Sequence, residues 1–140
     1  MPGIIPNITN QLPFSLSPDG KRLAFAGTRT DTHRKQIVLV NLESKAEATS
    51  PLVLDADPRL SDHPEFTPDG LAVVYGFETD GIENLWLHPL NGKPGRQITH
   101  FPDDVFSRYL YSPDGKTLAM LRFHTYADVV LLHDTTDTAQ

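Results

Sequence analysis

Hydrophobic positions in this chain come in short runs of three or four, and no 3.6-residue helical period persists for ten residues. Between the runs, one tight turn recurs. Ser17-Pro18-Asp19-Gly20 returns as Thr67-Pro68-Asp69-Gly70 and as Ser112-Pro113-Asp114-Gly115. Its chemistry is that of a β-turn: proline presets φ at the second position, aspartate accepts local N–H groups, and glycine closes the fourth. Short apolar elements precede the turns, Phe14-Ser15-Leu16, Pro64-Glu65-Phe66 and Tyr109-Leu110-Tyr111. Leu23-Ala24-Phe25, Val73-Val74-Tyr75 and Leu118-Ala119-Met120 follow in one register, so each turn predicts a hairpin. A third strand is expected at Ile37-Val38-Leu39-Val40, Leu85-Trp86-Leu87 and Val129-Val130-Leu131-Leu132. A fourth is expected at Leu52-Val53-Leu54 and Gln97-Ile98-Thr99, each ending shortly before the next repeat. By the same spacing Ile4 belongs to the last strand of an earlier unit.

A repeat of 45–50 residues containing four strands has the size of a propeller blade, which spans roughly 40–50 residues. The fold expected is all-β: about three four-stranded antiparallel blades of a β-propeller whose ring this chain does not close. The expected boundaries are 1–10 for the last strand of a preceding blade, 11–55 for blade 1, 56–100 for blade 2, 101–134 for a three-stranded blade 3 and 135–140 for a tail. Propellers close with roughly four to eight blades, so three imply missing blades or self-association. Equivalent apolar positions, Leu16, Phe66 and Tyr111 or Phe25, Tyr75 and Met120, are expected to form the core between blades. Trp86, which matches Val38 and Val130, is expected there too.

Composition narrows the function. The chain has 140 residues, 39% of them hydrophobic, with 12 prolines and no cysteine. That is an ordinary globular balance, with enough proline to argue against long helices and without disulfides or thiolate chemistry. A formal charge of −6 and the lack of a basic stripe argue against direct nucleic-acid binding. No apolar run approaches transmembrane length, and residues 1–6 lack a signal-peptide pattern.

Candidate chemistry is sparse. No serine lies in a Gly-x-Ser-x-Gly elbow, so no catalytic residue is assigned. The six histidines show no metal-ligand spacing, and the acidic group Asp55, Asp57 and Asp62 lacks the glycine and glutamate of a calcium loop. No metal or cofactor is expected. Ser17, Pro18, Asp19, Gly20, Thr67, Pro68, Asp69, Gly70, Ser112, Pro113, Asp114 and Gly115 are assigned to structural turns. Loops carry function more often than strands do, which selects Asp62, His63, Glu65 and Arg108 near the start of the innermost strands, then Arg29, Arg34 and Arg122.

The run of an apolar residue, Ser-Pro-Asp-Gly-Lys, then Leu-Ala-Phe resembles the TolB-type, WD-like β-propeller repeat of bacteria. Asn84-Leu85-Trp86, Pro89-Leu90-Asn91-Gly92 and Arg96-Gln97-Ile98-Thr99 extend the likeness. From Arg96 through Leu132 the chain is similar to the C-terminal blades of propellers fused to bacterial serine/threonine kinases or winged-helix regulators. Leu16, Phe66 and Tyr111 stand where that family often has tryptophan, and Leu71 replaces the lysine after the second turn. The resemblance implies a non-catalytic module for protein binding or ligand sensing within a larger signalling protein, on the periplasmic side of a membrane. It also implies alternatives: an accessory propeller of a prolyl-oligopeptidase-like hydrolase, or a self-associating scaffold.

Overall fold

The computed structural model describes residues 8–43, 52–61, 63–124 and 130, with the side chains of 8–13, 106 and 107 outside that description. Ten strands and no helix occur among them. The first four are β1 (Ile8–Leu16), β2 (Arg22–Arg29), β3 (Lys35–Asn41) and β4 (Leu52–Asp55). They form an antiparallel sheet in sequence order. A second such sheet contains β5 (Glu65–Phe66), β6 (Ala72–Thr79), β7 (Ile82–Pro89) and β8 (Arg96–Gln97). A third begins with β9 (Val105–Tyr111) and β10 (Leu118–Phe123). These are blades 1, 2 and 3. The strand expected at 129–132 lies outside the described residues, as does Ile4.

The strand lengths depart from the sequence reading in two places. β1 extends back to Ile8, so residues 8–10 run in the first strand of blade 1 rather than in an earlier unit. A register shift between Gln11 and Phe14 places Pro13 at a bulge, where its missing N–H breaks no ladder bond. β8 is only two residues long; beyond it Ile98 N–H still donates to Leu85 O at 2.9 Å, but Thr99 bonds by its side chain.

The turns are built alike three times. Ser17 Oγ donates to Asp19 Oδ1 and accepts from Arg22 N–H, while Asp19 Oδ1 also accepts from Lys21 N–H. Thr67 and Asp69 repeat the arrangement, as do Ser112 and Asp114. All three closing glycines have φ near +70°, a conformation glycine adopts without steric cost.

Alternate residues on each strand point to opposite faces, so every blade has two. Phe66, Val73, Tyr75 and Trp86 on the leading face of blade 2 pack against Ala24, Ala26, Ile37 and Leu39 on the trailing face of blade 1. On the other side of blade 2, Val74, Leu85, Leu87 and Ile98 pack against Tyr109, Tyr111, Leu118 and Met120 of blade 3. The middle blade is covered on both faces, which explains the unbroken apolar run Val73-Val74-Tyr75. The leading faces carry the aromatics Phe66, Tyr75, Trp86, Tyr109 and Tyr111, and the trailing faces they meet are aliphatic. Trp86 fits because Gly95 is bare: a Cβ there would lie 2.2 Å from the indole Nε1. Leu16 is a correction. It is 53% exposed, because among the described residues no blade covers β1 as blades 1 and 2 cover Phe66 and Tyr111, whereas Phe25 on β2 is buried as expected.

Polar contacts fix the spacing of the blades. Ser15 Oγ donates to Pro64 O at 2.7 Å, and Arg22 Nη2 to Gly70 O at 2.8 Å. The turns themselves stack: Pro18 lies under Gly70, and Pro68 under Gly115. A Cβ on Gly115 would come within 2.9 Å of the Pro68 ring, whereas one on Gly20 would meet nothing within 4 Å. Gly115→Ala is therefore expected to cost about 1–3 kcal/mol in urea denaturation, from positive-φ strain plus the clash. Gly20→Ala should show the strain alone and a smaller loss.

Candidate binding surface

Alternating strand directions put the repeated turns at one end of the blades and the β2–β3, β4–β5, β6–β7 and β8–β9 connections at the other. The candidates selected by sequence fall at that second end, in three places. His63 and Glu65 come together where the chain enters β5, with His63 Nε2 3.2 Å from Glu65 Oε1. The imidazole stacks on the Tyr109 ring with centroids 6.4 Å apart. Tyr109 Oη shares its hydrogen between the carbonyls of His63 and Val74, each at 2.9 Å. Arg108 is exposed on β9 beside Tyr109. Asp62 lies outside the described residues.

Arg29 and Arg34 sit instead at the β2–β3 connection of blade 1. Arg29 makes two bonds to Asp31, at 2.9 and 2.5 Å, and its guanidinium pulls the Asp31 carboxyl down to about 2. Arg34 is exposed, its carbonyl accepting from Arg29 N–H. Arg122 occupies a third place. It stacks 4.0 Å above the Phe101 ring and pairs with Asp103 and Asp104, at 3.1 and 3.2 Å. His124 Nδ1 also meets Asp104. Asp104 holds this corner in a left-handed conformation, φ 74°, and its carbonyl accepts from Glu83 N–H. Thus Arg29 and Arg122 are held by neighbouring carboxylates.

Two structural roles escaped sequence reasoning. Asn84 is buried and accepts from Thr99 Oγ1 and Phe101 N–H, tying the chain after β8 to the third strand. Gln36 stands at the matching position of blade 1 and donates to Asp55. Tyr109 is the other: it read as one more apolar residue, although it alone carries a hydroxyl among Phe14, Pro64 and Tyr109 at the equivalent positions. In the acidic loop before blade 2, Asp57 binds the Arg59 backbone and guanidinium rather than presenting itself to a cation. Arg59 in turn covers Phe77 at 4.7 Å, and Tyr75 Oη accepts from Asp57 N–H. Burial raises the Tyr75 hydroxyl to about 12.

A groove of about 250 Å³ crosses the first strands of blades 2 and 3. Pro18, Pro68 and Pro113 border it on the turn side, with Glu65, Tyr109 and Tyr111 along its length. Prolines and tyrosines supply apolar contact with little side-chain entropy to lose, and Glu65 adds one partly buried carboxylate.

No family model matches the chain. TolB from Acinetobacter baumannii superposes with a TM-score of 0.62 at 21% identity, over 83% of this chain and 27% of that one. A TolB structure from Agrobacterium tumefaciens gives 0.61 at 19% identity, over 86% and 40%. The fold is that of a TolB-like β-propeller. In sequence, 106 residues are 32% identical to dipeptidyl-peptidase 5 of Aspergillus fumigatus, covering 73% of this chain but only 14% of that protein. A second strain's enzyme matches equally. The chain thus spans a small part of each protein it resembles. Within a TolB-like propeller the first strand of each blade is the innermost, so the groove and the His63–Glu65 pair lie on the channel side.

The turn carboxyls make an acid-sensitive scaffold. Asp19, Asp69 and Asp114 are all held below the usual carboxylate range, chiefly by the hydroxyl of the Ser or Thr two residues earlier. Their folded pKa values lie below the unfolded value of about 3.9, so their contribution is present above that pH and lost as pH falls through the folded values. Urea midpoints should therefore decline as pH is lowered from about 5 toward 2. The triple variant Asp19→Asn, Asp69→Asn, Asp114→Asn should decline less steeply, and an unchanged slope would exclude these carboxyls as its cause.

Proposed function

We propose that the chain is a non-catalytic binding module that recognises a protein or peptide segment on its channel side. The observation carrying this reading is the groove across the inner strands, with its prolines, tyrosines and single carboxylate. It is open rather than enclosed, and its apolar walls come from rigid rings, which suits an extended segment better than a small molecule. Glu65 and the overall charge of −6 favour a basic partner. The TolB-like fold supports a binding role through the fold class alone.

In its wider form, this reading places the module in a larger bacterial signalling or regulatory protein, on the periplasmic side of a membrane. The resemblance of its repeats to kinase- and regulator-linked propellers supports that setting. The likeness to dipeptidyl-peptidase 5 supports a second reading, a propeller serving a hydrolase, in which the same channel would guide a peptide substrate. Both readings put peptide recognition on the inner strands.

Panning a peptide library against the chain tests the proposal. Enriched peptides should be basic, and Glu65→Lys should weaken them about tenfold or more, equivalent to about 1.4 kcal/mol. Peptides that bind the variant as well as the original chain would contradict the assignment of the site. Turnover of a fluorogenic dipeptide substrate by the chain itself would contradict the non-catalytic role.

A further inference from the structure

The groove has a period as well as a charge. Pro18, Pro68 and Pro113 hold the same position in three successive turns, and all three border it. Pro18 and Pro113 are exposed and Pro68 is partly exposed, so the row of rings faces solvent. A second hollow, of about 480 Å³, shares Pro68, Tyr111 and Pro113 with the groove and continues it to Asp69 and Asp114. Carboxylates therefore stand toward both ends, with rings between them. The two tyrosines differ in what they offer a ligand. Tyr109 is buried, and its hydroxyl is engaged by the carbonyls of His63 and Val74. Tyr111 is only partly buried and lines both hollows.

Spacing selects the conformation of the occupant. Sheets stacked face to face lie about 10 Å apart, so a segment crossing the blades meets one turn proline at about that interval. A polyproline II helix repeats every three residues, about 9.3 Å at its rise of about 3.1 Å per residue, which is close to one blade. A β-strand repeats every two residues, about 6.7 Å, and its third residue points away from the surface that its first one touches. The backbone points the same way. β5, the inner strand of blade 2, is two residues long and offers a short edge for ladder pairing. A polyproline II segment has no ladder to complete and is already ordered before it binds.

We propose that the groove takes a proline-rich segment in the polyproline II conformation, one proline against each successive turn at every third position, with a basic residue flanking the run. This rests on the reading of the groove as a peptide site, and it adds the class of peptide and its register. The ligand's rings pack on Tyr111 and on the turn prolines, a mode of contact that aromatic-lined grooves use for such segments. Charge complementarity places the basic residue. Rings line the middle of the groove, so an arginine or lysine meets Glu65 at one end or Asp69 and Asp114 at the other.

Fluorescence anisotropy with labelled synthetic peptides tests the proposal. The first peptide has proline at every third position and an arginine at each end. The second has the same composition with its prolines at every second position, and the third has alanine in place of proline. The first should bind at least about tenfold more tightly than either of the others. Tyr111→Ala and Pro113→Ala should each weaken it about fivefold or more. Pro113 is exposed, so its variant keeps the test informative where Tyr111→Ala loosens the packing against blade 2. Leu52→Ser, at an exposed position on the outer strand β4, should leave binding unchanged. Equal binding of all three peptides, weakened by Glu65→Lys, would overturn the polyproline register and leave the peptide groove standing. No binding of any peptide would overturn both readings, and binding indifferent to Tyr111→Ala and Pro113→Ala would overturn the placement of the ligand.

Discussion

The structure depends on the packing of one twisted sheet face against the next. A four-stranded antiparallel sheet can satisfy its backbone, but it cannot bury both of its own faces. Here the answer is sequential. Tyr75 and Val73 rest on Ala24 and Ala26, and Tyr109 and Met120 rest on Val74 and Leu85. The aromatic partners, Tyr75 and Tyr109, sit on the leading face in both cases, and the trailing faces they meet are aliphatic. The polar contacts at the inner strands, Ser15 to Pro64 and Tyr109 to Val74, set the register in which the faces meet.

The turn end and the loop end of the blades divide the work. At the turn end, the same hydroxyl–carboxylate arrangement is built three times, and Pro18 and Pro68 each support the glycine of the next blade. At the loop end, connections differ in length and bring His63, Glu65, Arg122 and Asp104 into pairs that no repeat dictates. The groove on the inner strands lies between these two ends. The turn prolines border it at one end, and Glu65, Tyr109 and Tyr111 of the first strands line its length.

Much of this was legible from residue order. The turns were, because Ser-Pro-Asp-Gly restricts its own backbone and needs little from the tertiary structure. The hairpin partners were, because their apolar runs keep register with the turns. What stayed hidden depends on contacts between distant positions. Pro13 hides the true length of β1, since a bulge lets a strand continue past a proline. Asn84 and Gln36 look like polar interruptions of a third strand until their bonds to Phe101 and Asp55 are seen. Leu16 shows the converse: equivalence in the repeat placed it in a core, but coverage depends on the neighbouring blade. Of the candidate site residues, His63 and Glu65 meet, and the arginines are dispersed among other loops.

A trailing-face position is core where the next blade covers it and exposed where none of the described blades does. Ala24 and Ala119 are equivalent in the repeat; the first is fully buried and the second exposed. Measuring urea stability of Ala24→Leu and Ala119→Leu in dilute solution compares one substitution at one register with and without a covering blade. Ala24→Leu should cost about 1–3 kcal/mol through overpacking. Ala119→Leu should change stability by no more than about 0.5 kcal/mol, as at an ordinary surface position. Equal losses at the two positions would contradict the account.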